Sequence, residues 1–255
     1  MRNLRNGCST LEDWNILLSR QPQKHNIDYY NSTRLTFANE AVREHNSKML
    51  ESLESPIAVI KAKNTPPSTS KISSEEFGLQ NEIFLSKGSK VMLTRNLWSD
   101  VGLCNGSLGV VKDIIFQRDQ LPPALPIAVI VKFDKYIGPS FFDDDENCVP
   151  IVPLVETVTG DNNIQKERMQ IPLKLAWSIT IHKSQGLTLD KVVVDIGKKE
   201  NMDGLTYVAL SRVKRLNDMI IEPFPFERIS RLSENKSFKY RVREEQRLDG
   251  ISKET

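Results

Sequence analysis

Hydrophobic and polar positions first form a clear pattern near the amino terminus. Residues 10–13 read Thr-Leu-Glu-Asp, which resembles a capping box at the start of a helix. The apolar residues that follow recur at helical spacing and would form one stripe: Leu11, Trp14, Leu17 and Leu18. We therefore predict a helix here, which Pro22 would end.

Strand and helix patterns alternate in the next stretch. Residues 34–37 are a short strand candidate, Ala38 and Asn39 suit a turn or cap, and a helix is predicted at about residues 40–53. Residues 64–74 are poor in apolar side chains and rich in turn formers. We expect a surface loop or linker there, with a domain boundary just after it.

The pattern then changes to short strands over about residues 82–172. Strand candidates at residues 90–94, 109–111, 127–133 and 149–152 are separated by Gly, Pro and Asn. Such spacing predicts a small barrel or sandwich. The prolines at 122, 123 and 126 and the acidic residues 143–146 are expected in exposed loops.

After Pro172 the alternation returns. We predict a buried strand at residues 191–196, a helix near 205–213 and a last strand at 219–221, which indicates an α/β domain with a parallel sheet. The resulting division has four parts. Residues 1–81 and 173–229 form one domain, residues 82–172 are inserted in it, and 230–255 are a charged tail in a solvated helix or frayed end.

Composition excludes several classes of protein. With 39% hydrophobic and 27% charged residues among 255, the chain should fold rather than stay disordered, and a net charge of +2 leaves nucleic-acid binding open. Three scattered cysteines and three histidines show no metal-ligand spacing, so no structural metal is expected. We find no signal-like apolar region and no run of 18 apolar residues, and expect an intracellular protein without secretion signal or membrane span.

Two segments carry the candidate chemistry. Residues 175–189 deliver hydroxyl, imidazole, ammonium and amide groups from a buried strand to a turn closed by Gly186, which suits binding of phosphate oxygens. Residues 204–212 predict a helix with Arg212 near its end, placed to aim a guanidinium across a domain boundary. Alternatives remain open, since the turn could be a structural cluster and Arg212 could only cap its helix.

The wording of both segments resembles a known family. TIHKSQGLTL at residues 180–189 and YVALSR at 207–212 resemble motifs V and VI of superfamily-one helicases, in the PIF-one and RecD-like branch. Residues 90–96 and 105–109 are similar to the inserted small barrel of that branch, and residues 34–39 more loosely to its motif IV region. The resemblance covers residues 34–221. It implies a RecA-like second motor domain, of the P-loop NTPase type, with an inserted Src-homology-three-like β-barrel.

The resemblance also implies roles for individual residues. It assigns contacts with single-stranded DNA, or the coupling of that DNA to nucleotide, to the following residues: Thr36, Asn39, Thr180, His182, Lys183 and Ser184. Gln185 and Gly186 would lie towards ATP, and Arg212 would be the arginine finger on its γ-phosphate. His182 could instead be a neutral ring that holds its own turn. The family further implies roles in DNA repair, recombination and telomere maintenance, in a nucleus or mitochondrion if the source is eukaryotic.

A nucleotide-binding P-loop requires the pattern G-x-x-x-x-G-K-[ST]. No segment fits, and both residues 87–90 and residues 197–199 fail. ATP and magnesium are therefore expected only when a P-loop motor domain completes the site in cis or in trans, and the chain alone should not hydrolyse ATP. Without a P-loop, residues 192–195 are interpreted as a core strand rather than a magnesium site. The alternative functions are a non-catalytic single-stranded nucleic-acid binding module and a truncated helicase fragment.

Overall fold

The computed structural model describes residues 1–22, 29, 32–142, 147–159, 165–197, 204–234 and 236–254. It divides into two compact units, one formed by Met1–Arg43 with Ser178–Thr255 and the other by Glu44–Trp177. The predicted acidic loop at residues 143–146 and the lysines at 198 and 199 lie outside the described residues.

Helices and strands alternate unevenly along the chain. The helices are α1 Arg2–Arg5, α2 Leu11–Leu18, α3 Asn39–Glu51, α4 Ser74–Phe77, α5 Leu205–Leu210, α6 Glu227–Ser230 and α7 Lys236–Glu254. The strands are β1 Thr33–Thr36, β2 Ala58–Lys61, β3 Lys63–Thr65, β4 Glu82–Leu85, β5 Lys90–Leu93, β6 Leu108–Ile115, β7 Ala128–Phe133, β8 Cys148–Ile151, β9 Leu154–Thr159, β10 Gln165–Gln170, β11 Leu173–Leu175, β12 Ser178–Thr180, β13 Val192–Val194 and β14 Met219–Ile221.

The first unit contains a parallel sheet in the order β12-β1-β13-β14. Strand β1 therefore lies between two strands that follow it by more than 140 residues. One face of the sheet is apolar and buried, with Leu35, Ile179, Val192, Val194 and Ile221 each at most 2% exposed. The α/β pattern predicted from the two ends of the chain is thus present in one sheet, which is parallel as expected.

Local signals at the amino terminus are confirmed. Helix α2 begins with the capping box, because the Thr10 side chain accepts from the Asp13 amide and the Asp13 side chain accepts from the Thr10 amide. Trp14 then fixes the helix in place by donating from Nε1 to the Phe224 carbonyl at 3.0 Å. The helix ends at Leu18, four residues before Pro22.

The second unit is built from antiparallel strands. Strands β11-β5-β6-β7-β8 form a five-stranded sheet, β3-β10-β9 a three-stranded sheet, and β2 pairs with β4. Their inward side chains form one large buried cluster that includes Ile60, Leu85, Val131, Phe133 and Leu173. This confirms the predicted change to short strands, whereas the Src-homology-three-like barrel stays a prediction.

The start of the second unit differs from the predicted boundary at residue 82. The unit already begins at Glu44. The reason is strand pairing, since β2 pairs with β4 and β3 pairs with β10, so residues 58–65 belong to the sheets of this unit.

The segment at residues 64–74, predicted to be a surface loop or linker, is mostly exposed but lies within the second unit rather than between two units. Residues of β3 and a 3₁₀ turn at Pro67–Lys71 occupy it, and Thr69 is 0% exposed. The buried guanidinium of Arg168 binds the carbonyls of Thr69 and Ile72 at 3.0 and 2.9 Å. The polar segment is therefore held in place by hydrogen bonds that Arg168, about 100 residues later in the chain, donates to its carbonyls.

Two further observations concern only the described residues. None of their helices combines the length and the apolar character needed to cross a membrane. Nor do they contain a group of three or more histidine, cysteine, aspartate or glutamate side chains that could hold a metal ion.

Candidate functional site

The candidate site lies at the carboxyl edge of the parallel sheet. In open parallel sheets, ligands bind beyond the carboxyl ends of the strands. At this edge Thr36, the last residue of β1, is in register with Thr180, the last residue of β12. The Ile181 amide donates to the Thr36 carbonyl at 2.9 Å. The structure thus brings residues 34–39 and the segment that begins at Thr180 together at one edge of the sheet.

Beyond Thr180 the chain forms a short 3₁₀ turn at His182–Ser184. The Lys183 amide donates to Thr180 Oγ1 at 3.4 Å, and Ser184 Oγ donates to the Ile181 carbonyl at 2.7 Å. Gly186 closes the turn with φ of 83°, a left-handed conformation that favours glycine. Hydroxyl groups and one glycine therefore shape this segment, which we call the motif V turn and define as residues 180–187.

Exposure separates the residues of the motif V turn into two sets. The side chains of His182, Lys183 and Gln185 are exposed, and so is Gly186. Ser184 is 0% exposed and its hydroxyl is bound inside the turn. In this structure the Ser184 hydroxyl holds the turn, and the role that the resemblance implies for Ser184, in contacting DNA or coupling it to nucleotide, stays a prediction. For His182 both interpretations stay open.

Arg212 follows α5 and points its guanidinium at the motif V turn. Nη1 donates to the carbonyls of Ser184 and Leu187, both at 3.1 Å. Nε donates to the Val208 carbonyl at 2.7 Å, and Nη2 donates to Ser211 Oγ at 2.7 Å. The Leu189 amide returns a bond to the Arg212 carbonyl at 2.8 Å. Motifs V and VI are therefore joined by side-chain and main-chain hydrogen bonds.

These contacts bear on both interpretations of Arg212. The bond to Val208, four residues earlier, is the helix-capping contact. Four of the five N–H groups have partners, and among the described residues only one N–H of Nη2 is left for another acceptor. Partial burial lowers the pKa of the guanidinium, but an arginine stays charged at neutral pH. A two-pronged grip on a phosphate would require the side chain to leave the turn.

The remaining predicted residues lie at the same edge. Thr36 is 7% exposed, so its hydroxyl has little surface for a ligand. Asn39 is the exposed first residue of α3. Thr36 and Asn39 were recognisable as candidate site residues only because residues 34–39 resemble motif IV.

One charged group at this edge was missed by the sequence interpretation. Arg34 of β1 binds Asp195 at 3.1 Å and Glu222 at 2.7 Å, and these carboxylates follow β13 and β14. The bridge agrees with a structural role for Asp195. No local pattern identifies it, because the partners of Arg34 are 161 and 188 residues away.

Comparison with known proteins gives a consistent family. Residues 78–114 match the family model "DNA helicase Pif1, 2B domain", and residues 155–246 match the herpes helicase family, described as "Helicase". The chain is 29% identical over 227 residues to ATP-dependent DNA helicase PIF1 of Xenopus laevis. These residues make up 88% of this chain and 32% of that protein. The chain thus spans about a third of that relative.

Solved structures show the same fold. The crystal structure of Pif1 helicase from Candida albicans matches with a TM-score of 0.72 at 24% identity, over 98% of this chain and 56% of the other. Bacteroides Pif1 bound to ssDNA matches with a TM-score of 0.62 at 23% identity, over 89% of this chain and 49% of the other. The first unit is accordingly consistent with the RecA-like α/β fold. ATP-dependent DNA helicase PIF1 of Mus musculus is 30% identical over 196 residues, 76% of this chain and 27% of that protein. The motifs and these family matches identify the chain as a Pif1-like helicase C-terminal region.

Proposed function

We propose that this chain is the second motor domain of an ATP-dependent DNA helicase. It would supply contacts to the backbone of single-stranded DNA and an arginine finger for ATP hydrolysis by a P-loop domain. One observation carries the proposal: the exposed motif V turn and the guanidinium of Arg212 are hydrogen-bonded to each other at the ligand-binding edge of a parallel sheet.

The DNA contact would be made mainly by Lys183. Its ammonium group is exposed on a turn whose backbone is tied down on both sides, and a charge-assisted hydrogen bond to a phosphate is about twice as strong as a neutral one. Asn39 and His182 would add polar contacts. Bacteroides Pif1, which shares the fold, has been crystallised with ssDNA, which supports this assignment.

Lys183→Ala tests the DNA contact in the chain as it stands. Each phosphate contact on a single strand releases counterions and contributes about 0.7 to the slope of log affinity against log salt. We expect the variant to bind an oligothymidine more weakly and with a slope smaller by about that amount, measured by fluorescence anisotropy between about 50 and 200 mM salt. Lys236→Ala, which removes an exposed charge from α7, is the control. An unchanged slope for Lys183→Ala would show that Lys183 makes no contact with a DNA phosphate.

The nucleotide contact would be made by Arg212. ATP and magnesium would be held by the P-loop domain, and a guanidinium opposite the γ-phosphate would stabilise the negative charge that develops there during phosphoryl transfer. The described residues around Arg212 fit a bound γ-phosphate only in part. Among the described residues Nη2 keeps one available N–H, while Gln185 and Gly186 are exposed between the two carbonyls that Nη1 binds.

Arg212→Lys tests the arginine finger once the chain is joined to a P-loop domain. Lysine cannot reproduce the planar fork of arginine. We expect ATP binding to stay largely intact while the ATPase turnover falls by about 10³-fold or more. Near-normal turnover in a folded Arg212→Lys protein would remove the assignment. If joining a P-loop domain restores no ATPase activity to the unmutated chain, the non-catalytic binding module becomes the better description.

A further inference from the structure

The guanidinium of Arg212 bridges the two carbonyls that flank Gln185 and Gly186 in the motif V turn. Nη1 binds the Ser184 carbonyl and the Leu187 carbonyl at the same distance of 3.1 Å, and Gln185 and Gly186 lie between them. Ser211 Oγ, which donates to the Val208 carbonyl at 3.0 Å, accepts from Nη2 and holds the guanidinium in this orientation. The bridge therefore has a fixed base on α5.

The start of the motif V turn is held to β1 by the main-chain bond from the Ile181 amide to the Thr36 carbonyl at 2.9 Å. Its internal bonds are short-range, such as Gln185 N to the His182 carbonyl at 3.2 Å and Leu187 N to the Ser184 carbonyl at 3.0 Å. An added Cβ on Gly186 would meet no atom within 4 Å, so no packing against described residues restrains this point of the turn. Arg212 is thus the charged side chain that ties residues 184–187, which directly follow Lys183, to α5.

We propose that Arg212 is a positioning residue for the DNA contact, which it serves by fixing the motif V turn before any nucleotide is bound. The inference rests on the proposed contact between Lys183 and DNA. It does not rest on the role of Arg212 in ATP hydrolysis. Arg212 therefore acts on the DNA through the turn, without touching the strand.

The first test measures oligothymidine binding by the full chain without nucleotide. Arg212→Ala should weaken binding about threefold or more, comparable to loss of one phosphate contact. Because both changes act through Lys183, Arg212→Ala should add little in a Lys183→Ala background. Lys214→Ala removes an exposed positive charge two residues away and is the matched control. Equal losses in Arg212→Ala and Lys214→Ala would overturn the proposal, because they would reflect charge alone.

A second measurement covers the case in which Arg212→Ala fails to fold. Arg212→Lys keeps the charge but cannot bridge two carbonyls with the same fork. In hydrogen exchange, residues 181–189 should exchange faster in this variant, while β14 keeps the rate of the unmutated chain. Unchanged exchange in the turn, or equal acceleration in β14, would overturn the proposal.

The two experiments also separate this proposal from the one on which it rests. If Lys183→Ala leaves DNA binding unchanged, the DNA contact itself is wrong. If Lys183→Ala weakens binding and Arg212→Ala does not, the contact stands and the positioning role is wrong.

Discussion

Arg168 shows what one buried side chain does at the scale of the residue. It is 0% exposed, and its guanidinium donates to Asn64 Oδ1 and to the Leu79 carbonyl, both at 3.0 Å. It also binds the carbonyls of Thr69 and Ile72 and lies 4.5 Å from the centroid of the Phe77 ring. Burial lowers the pKa of Arg168, and the charge of Glu76 partly opposes this. The side chain is the common partner of three main-chain carbonyls, of which that of Thr69 also accepts from the Ile72 amide at 3.1 Å.

Arg168→Ala should therefore destabilise the second unit strongly. Hydrogen bonds to a charged group contribute about 1.5–3 kcal/mol each, and the carbonyls of Leu79 and Ile72 would lose this donor. We expect the free energy of unfolding to fall by about 3 kcal/mol or more, measured by urea denaturation with tryptophan fluorescence.

Lys166→Ala is the control for this change. It removes the same charge from the same strand, where Lys166 is only half-buried, and should alter the free energy of unfolding by about 0.5 kcal/mol or less. A loss below about 1 kcal/mol for Arg168→Ala would show that water can replace the guanidinium.

At the scale of the element, helix α2 illustrates how much a helix start can be encoded locally. Its capping box satisfies backbone groups that an isolated helix end leaves unpaired. Hydrogen bonds from Asn3 and from the Thr10 amide lower the pKa of Asp13. A depressed carboxylate pKa stabilises the folded state above the unfolded value, and this contribution is lost as the pH falls through the folded value.

Thr10→Ala should remove the cap while leaving the apolar contacts of α2 in place. We expect the free energy of unfolding to fall by about 1 kcal/mol, the usual cost of replacing such a cap by alanine. Thr10→Ser keeps the hydroxyl and should restore most of this loss in the same urea titration. Equal losses in both variants would show that the Thr10 methyl group, rather than its hydroxyl, stabilises the helix start.

At the scale of the whole molecule, the two units differ in how the chain builds them. The second unit uses one continuous segment, and its buried cluster is formed within that segment. The first unit needs both ends of the chain, since β1 lies between β12 and β13 in the sheet. Folding of the first unit therefore requires contacts of very high sequence separation, which are slow to form.

This difference predicts the behaviour of fragments. A fragment of residues 39–177, which keeps α3 whole, should fold alone because it contains its own hydrophobic core. A fragment of residues 1–43 should stay unfolded, because the strands that flank β1 are missing. Circular dichroism with thermal melting checks both. A non-cooperative melt for residues 39–177 would mean that this unit depends on the first.

The sequence by itself determined the features that depend on neighbouring residues. The capping box of α2, the last strand at Met219–Ile221 and the change from α/β alternation to short strands were all predicted, because periodicity and caps extend over only a few positions. The family was recognisable from two short motifs for the same reason, since each motif is one contiguous turn or helix.

Only the tertiary structure decided the features that depend on distant partners. It placed the unit boundary at Glu44 rather than at residue 82, and it paired a polar segment with Arg168. It also buried Ser184 and turned Arg212 towards the carbonyls of the motif V turn, 25 and 28 residues away. The physical reason is that these outcomes depend on which backbone carbonyl a side chain reaches in space, and neither composition nor periodicity contains that information.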